Sequence, residues 1–439
     1  MGKQSEDYKA RRSTRWIYST LPANIAFGPL SGVITLYILQ LGGTVIAVSY
    51  AIAFASALAI PAAFFWGYVS DLFQRRRAQI MVSYIGLAVA LLAFVLMKSV
   101  IGVVIVYGAY AFVTASSAPP LNLLVMETSP RQRWPKSFSR LQYMASLGST
   151  IGLAVAVIVT GLLSLKELML AFLAMAVASS VLTMLLVYQP KERMRRVHFT
   201  SSIFAFTSRI FTSPVMILKV PSFSSAARLW RRMASPSGGY RKLTIIYYAI
   251  FVFSLGSGLF NTAYPAGLKQ VGISQPDVFV VLLAGAAAQV SAFFALGSSF
   301  AKGAKISTIK SSLVLRAASY IAIGIAFVLY TRSGAFISGL IFYPIASGIA
   351  YAFYYTSSNS LVFNSISGPD KGSALGAYTA IMGIGTFIGS LISGYTAFYI
   401  GYWFTFIAGG ALILWSGHIF TMLRRTHDVQ NAGHGAMPN

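Results

Sequence analysis

The sequence predicts an all-α integral membrane protein of twelve spanning helices, built as two repeated halves of six. Three observations predict it. Hydrophobic residues make up 56% of the chain and charged residues only 10%, a balance foreign to soluble enzymes. Twelve runs of mostly apolar residues recur at about the 20-residue length that a helix needs to cross the ~30 Å hydrocarbon layer. The longest polar interruption, residues 189–243, leaves six of these runs on each side.

In order, the runs fall at 16–39, 43–69, 78–97, 101–126, 141–163 and 168–188, then at 244–268, 277–298, 311–331, 335–358, 373–395 and 400–423. Ahead of the first stands "MGKQSEDYKARRSTR", basic and without a small-residue cleavage pattern, so it is expected to be retained. Of the 34 Lys and Arg, 29 fall on the side of this N-terminus. The other side holds only Lys98, Lys166, Lys269 and Arg332, while Arg316 lies within the ninth run. By the positive-inside rule both termini are expected in the cytoplasm, with the chain a multi-pass protein of the cell membrane. The net charge of +25 is then a topology signal and an attraction to an anionic inner leaflet, about 1 kcal/mol per residue near the surface. It is not read as a nucleic-acid footprint. With no cysteine there is no disulfide framework and no thiolate metal site.

The halves echo each other in residues as well as in count. "NIAFGP" from Asn24 in the first span answers "NTAYP" from Asn261 in the seventh, 237 positions later. In the fourth span Tyr107, Tyr110, Thr114 and Ser117 share a helical face, and the tenth carries a ladder of Tyr343, Ser347, Tyr351 and Tyr355 at every fourth residue. Those hydroxyls either line a wet path or stitch helix to helix. The linker between the halves mixes basic residues with Ile, Phe, Leu and Trp. It reads as amphipathic surface helices or as a plain connector.

Between the second and third spans stands "GYVSDLFQRRR". Gly67 permits close helix contact, Asp71 can cap or accept at a helix end, and Arg75 and Arg76 offer bidentate partners. Here the chain resembles the major facilitator superfamily, whose loop at this place carries G-x-x-x-D-x-x-G-R-[RK]. Gly67, Asp71, Arg75 and Arg76 match, and Gln74 replaces the second glycine. In the second half, "GSSFAKGAK" keeps Gly297 and Lys305 but has Ala301 where the aspartate would be. "METSPRQRW" after the fourth span and "GSALGAYTAIMGIGTFIGSLISG" in the eleventh are also similar to family patterns.

The resemblance implies two pseudo-symmetric six-helix bundles, residues 1–188 and 244–423, joined by a cytoplasmic basic linker at 189–243 and followed by a tail at 424–439. It implies rocker-switch alternating access around a midplane site, with Asp71, Arg75, Arg76 and Glu127 as a gating latch. Spans one, four, seven and ten would wall the cavity, with Asn24, Phe27, Tyr107, Tyr110, Asn261, Tyr264, Tyr343, Tyr351 and Tyr355 as candidates for touching the substrate.

No Asp or Glu falls at a predicted midplane, which weakens proton coupling, because a desolvated carboxylate is the natural carrier. The fourth span also lacks the arginine of many proton-coupled relatives, and the fifth has Gly148 and Gly152 without the antiporter Gly-Pro pair. His418 is expected to be packed, and Arg316 to snorkel or meet a neighbour's carbonyls. No histidine pair has metal-ligand spacing and no phosphate-binding loop is present, so neither enzyme activity nor a metal or other cofactor is expected. The expected function is transport of a small organic solute that is neutral or carries charge the site does not need to pair, by a monomer and independent of a midplane carboxylate. The alternatives are a proton-coupled efflux pump for amphipathic drugs or lipid-like molecules and, in another class, a transporter-like sensor or scaffold.

Overall fold

The computed structural model describes residues 15–73, 75–129, 134–187, 238–296, 306–329, 331–365 and 371–434. Twelve helices among them are long and apolar enough to cross a membrane. The first six are Arg15–Gln40, Val45–Gly67, Arg76–Leu96, Val100–Val125, Arg140–Leu162 and Leu165–Leu186. The second six are Thr244–Gln270, Gln275–Ala295, Ile306–Val328, Arg332–Asn359, Ala380–Tyr399 and Tyr402–Met422. They match the twelve predicted runs one for one, because the bilayer's thickness sets helix length more tightly than any local propensity does. The ninth begins five residues before its predicted start. The seventh and twelfth extend as helix to Gly238 and His434, beyond the apolar stretch. The linker from 188 to 237 lies outside the described residues.

The two halves repeat each other in their packing. Gly148 and Gly152 let the fifth span press onto the first, where a Cβ at Gly152 would strike the carbonyl of Ile25. In the second half Gly385 and Gly389, each 237 positions on, press the eleventh span onto the seventh at the carbonyls of Phe251 and Leu255. Without a hydrophobic driving force between helices in lipid, such close backbone approach is what holds spans together. Hydroxyls add to it: Ser179 of the sixth span donates to the carbonyl of Ser19, and Ser416 of the twelfth, again 237 further on, donates to Ala249 at 2.7 Å.

The first and seventh spans also end alike. Gly42 and Gly272 take φ of 84° and 86°, left-handed values that glycine adopts without strain. The next amides, of Gly43 and Ile273, donate back to Ile38 and Leu268 at 2.9 and 3.2 Å. This satisfies helix-end carbonyls and turns the chain into the next span within four residues.

Between the halves, the second span packs along the eleventh and the fifth along the eighth. At the end where the first span finishes, the hydroxyls of Tyr50 and Tyr395 hydrogen-bond and Gly394 lies against Ser49. At the opposite end, which carries the Gly67–Arg76 motif, Gln142 of the fifth span donates to the hydroxyl of Tyr355 in the tenth at 2.7 Å, and Tyr143 meets Phe294 at 6.2 Å. Ile101, Leu162 and Leu185 are exposed on the outside, as a lipid-facing surface requires.

Candidate functional site

The first-half candidates form an aromatic patch. Phe27 lies 6.3 Å from Tyr84 and 6.2 Å from Tyr110, and Tyr107 stacks on Tyr110 at 5.5 Å with rings nearly parallel. Asn24 turns its amide back to the carbonyl of Thr20 at 2.7 Å, and its side chain abuts Gly148. It is therefore engaged in the contact between the first and fifth spans. Gly28 and Ser31, one and two turns further along, are exposed.

The second-half candidates divide by role. Asn261 is exposed, although the residues before and after it along the seventh span are buried. Its side-chain oxygen accepts from the Tyr320 hydroxyl at 3.5 Å, so it faces the helical interior and not lipid. Tyr264, by contrast, is fully buried. Its ring stacks between Phe260 at 4.8 Å and Tyr343 at 4.9 Å, and its hydroxyl crowds Gly339, so it packs the seventh span on the tenth instead of lining open space.

The tyrosine ladder is interrupted by a π-helical turn, Pro344–Ala350. Such a turn holds an extra residue, so side chains beyond it rotate away from the α-helical register. Tyr343 packs against Tyr264 and Gly285, Tyr351 lies under a guanidinium, and Tyr355 reaches across to Gln142. One run of tyrosines thus performs three tasks.

That guanidinium belongs to Arg316, which does not snorkel but meets a neighbour's carbonyl, the second of the two expectations, and among the described residues finds no acid. It is 2% exposed, at the middle of the ninth span. Nε and Nη2 donate to the Tyr320 hydroxyl at 3.1 and 2.7 Å, and Nη1 donates to the carbonyl of Ala346, in the π turn, at 3.3 Å. The rings of Phe253, Tyr320 and Tyr351 surround it at 5.2–5.3 Å. Cation–π contacts and neutral hydrogen bonds offset part of the desolvation cost, but among the described residues they leave the charge itself without a counter-ion. Sequence reasoning passed over Arg316 as a centre, although it was the one cation inside a predicted span. Gln142 gave no comparable signal.

At the motif, Arg76 donates to Glu127 at 3.0 and 3.3 Å and to Ser70 at 2.8 and 3.1 Å, tying the start of the third span to the ends of the second and fourth. Arg75 is exposed. The Asp71 side chain lies outside the described residues. Gly67 makes no close contact: among the described residues a Cβ there would meet nothing within 4 Å. His418 is exposed on the twelfth span and not packed. The acids Glu167 and Asp277 sit at span ends, Glu167 closing a capping box with Ser164 and Asp277 facing Arg332 at 3.7 Å. Among the described residues no cluster of three His, Asp or Glu could hold a metal.

A cavity of about 610 Å³ opens between the halves at the end opposite the motif, lined by Leu36, Gln40, Lys269, Gln275, Phe398 and Tyr402 among others. None of the nine cavity candidates lines it.

A sequence profile of the Major Facilitator Superfamily matches residues 18–331. Among curated proteins none matches the sequence. Solved structures share the fold at low identity. A POT family transporter in complex with 5-aminolevulinic acid superposes with a TM-score of 0.71 at 12% identity, over 94% of this chain and 96% of its own. A mutant of the nucleoside transporter NupG gives 0.65 at 14%, over 94% and 99%. A POT family transporter in complex with a thioalcohol-conjugated peptide gives 0.67 at 13%, over 95% and 96%.

Proposed function

The chain belongs to the major facilitator superfamily, and from that premise we propose that it carries a small organic solute across the cell membrane by alternating access. The observation that carries this reading is how the halves meet. Two repeat-related bodies touch along the second–eleventh and fifth–eighth pairs, are clasped at both ends, and leave the polar Asn261 uncovered within. Bodies joined this way can rock without opening either core. The fold neighbours, transporters caught with a small acid or a peptide conjugate or named for nucleosides, support a solute of that size.

The 29-to-4 asymmetry of Lys and Arg supports an orientation with the motif end and both termini in the cytoplasm. There Gly67, Asp71, Arg75, Arg76 and Glu127 act as the latch of the inner gate, for which the Arg76–Glu127 pair supplies one fixed point. Transport does not use a midplane carboxylate, since the spans carry acids only at their ends.

Counterflow in liposomes tests the proposal. Protein loaded against sugars, amino acids, nucleosides, short peptides and carboxylic acids in turn is expected to exchange at least one labelled solute without a pH gradient. Exchange of none would leave the sensor or scaffold reading standing. Solute-dependent proton flux would favour the proton-coupled pump.

A further inference from the structure

Arg316 poses a problem that the fold does not solve. Its guanidinium has five N–H donors. Three are used, on Nε, Nη1 and Nη2, and all three meet neutral oxygens. Two remain without a partner among the described residues. In the six spans of the second half the single acid is Asp277, at a span end and facing Arg332. Among the described residues no carboxylate of this bundle lies at the cation. An intramembrane charge with no internal partner is the kind of residue that function, not stability, explains.

The surroundings point to the missing group. Around the cation stand Phe253, Tyr320 and Tyr351, with Tyr354 stacked on Phe253 at 3.8 Å. The buried hydroxyls of Tyr354 and Tyr378 make no hydrogen bond among the described residues. The pocket is thus rich in donors, carries one positive charge, and is walled by rings. A single negative charge balances it, whereas a phosphate dianion would leave excess charge in an aromatic cage. A carboxylate also accepts two N–H bonds in the plane of the guanidinium. The way in is marked by Tyr320, whose hydroxyl joins Arg316 to the exposed Asn261, and by the half-buried Tyr351.

We infer that Arg316 is a substrate-binding residue and that the solute is a small monocarboxylate with an apolar or aromatic body. The carboxylate pairs with Arg316 while the body lies along Tyr351 and the ring patch of Phe27, Tyr107 and Tyr110. This rests on the reading that the space between the halves is the solute path.

The test uses the full chain in detergent, titrated with monocarboxylates from acetate to decanoate and benzoate, each beside its neutral amide, with binding read by calorimetry and thermal shift. The wild type is expected to bind a favoured acid about tenfold or more tighter than its amide. Arg316→Gln removes that preference, lowering acid affinity about thirtyfold or more while the amide is unaffected. Arg316→Lys keeps the sign of the preference but weakens it, because a point charge replaces the planar fork. If Arg316→Gln does not fold, the wild type and Arg316→Lys decide. The proposal is overturned if no acid outbinds its amide in the wild type, or if Arg316→Gln keeps the preference. Counterflow separates the two readings: exchange of neutral solutes alone sinks the anion site and leaves transport intact, while acid binding without any exchange does the reverse.

Discussion

The centres of the two halves share a scaffold and differ in chemistry. In each, a glycine pair brings the fifth or eleventh span onto the first or seventh, and a buried tyrosine of the third or ninth span meets a phenylalanine, Tyr84 on Phe27 and Tyr320 on Phe260. Yet the third span has no charged residue beyond its first turn, while the ninth holds Arg316 at its middle. The fourth span passes its centre through a short 3₁₀ turn, Ala115–Ser117, and the tenth through a π turn that aims the Ala346 carbonyl at the guanidinium. Duplication supplies backbone contacts that both halves need. Specific chemistry is placed in one half only, where a single altered turn and a single cation suffice.

That comparison can be broken most forcefully at the glycines. Gly152→Leu and Gly389→Leu each push a side chain into a backbone carbonyl, and each is expected to cost about 3 kcal/mol, lowering the melting temperature by several degrees. Equal losses would support equivalent packing; tolerance of one would show that the halves are not held alike. Next in size is Tyr320→Phe, which removes the acceptor of two Arg316 bonds and should cost about 2 kcal/mol. Tyr107→Phe keeps its stack with Tyr110 and should cost less than about 1 kcal/mol. Similar melting temperatures for these two variants would mean that the charged centre is no more demanding than the neutral one.

The motif offers a third contrast, since the second half has Ala301 where the first has Asp71. Asp71→Asn should slow counterflow about tenfold, near 1.4 kcal/mol, with equilibrium affinity held. Ala301→Asp should change neither, and an unchanged rate in Asp71→Asn would refute the latch. A smaller effect than that of Asp71→Asn is expected at the bond that joins the halves at the motif end. Tyr355→Phe loses one hydrogen bond of about 1 kcal/mol and should shift the balance between gate states about fivefold. Because the chain has no cysteine, a pair introduced across that end for spin labels would report the shift directly. An unmoved distance distribution would show that Gln142 and Tyr355 do not bias the gate.

Much of the fold was legible because the bilayer is a strict solvent. It requires long apolar helices, so twelve runs found by length alone return as twelve helices. The repeat was legible in Asn24 and Asn261, and the same 237-residue offset recurs at Gly148, Gly152 and Ser179. The site was read less well, for reasons that lie in three dimensions. Spacing of four put Tyr343, Tyr351 and Tyr355 on one face, but a π turn, hinted at only by Pro344, gives them different neighbours. The same amphipathic look covers Asn261, which is uncovered, and Tyr264, which is sealed beneath Gly339. Proton coupling is carried by acids, so a lone basic residue in the ninth span signals nothing of it in the sequence. Its partners come from the seventh, ninth and tenth spans, and no pattern within one helix announces them.

The two four-residue turns at Gly42 and Gly272 make each pair of spans a tuning fork. Prongs joined so tightly at the base have no slack to slide past one another. A small tilt at the joined end therefore reappears, enlarged along some 30 Å of helix, at the free end. The free ends are where Asp71 and the start of the ninth span lie. Mechanical advantage thus runs from the turn end toward the opposite one, and the wide stroke falls where the chain carries the Gly67–Arg76 motif.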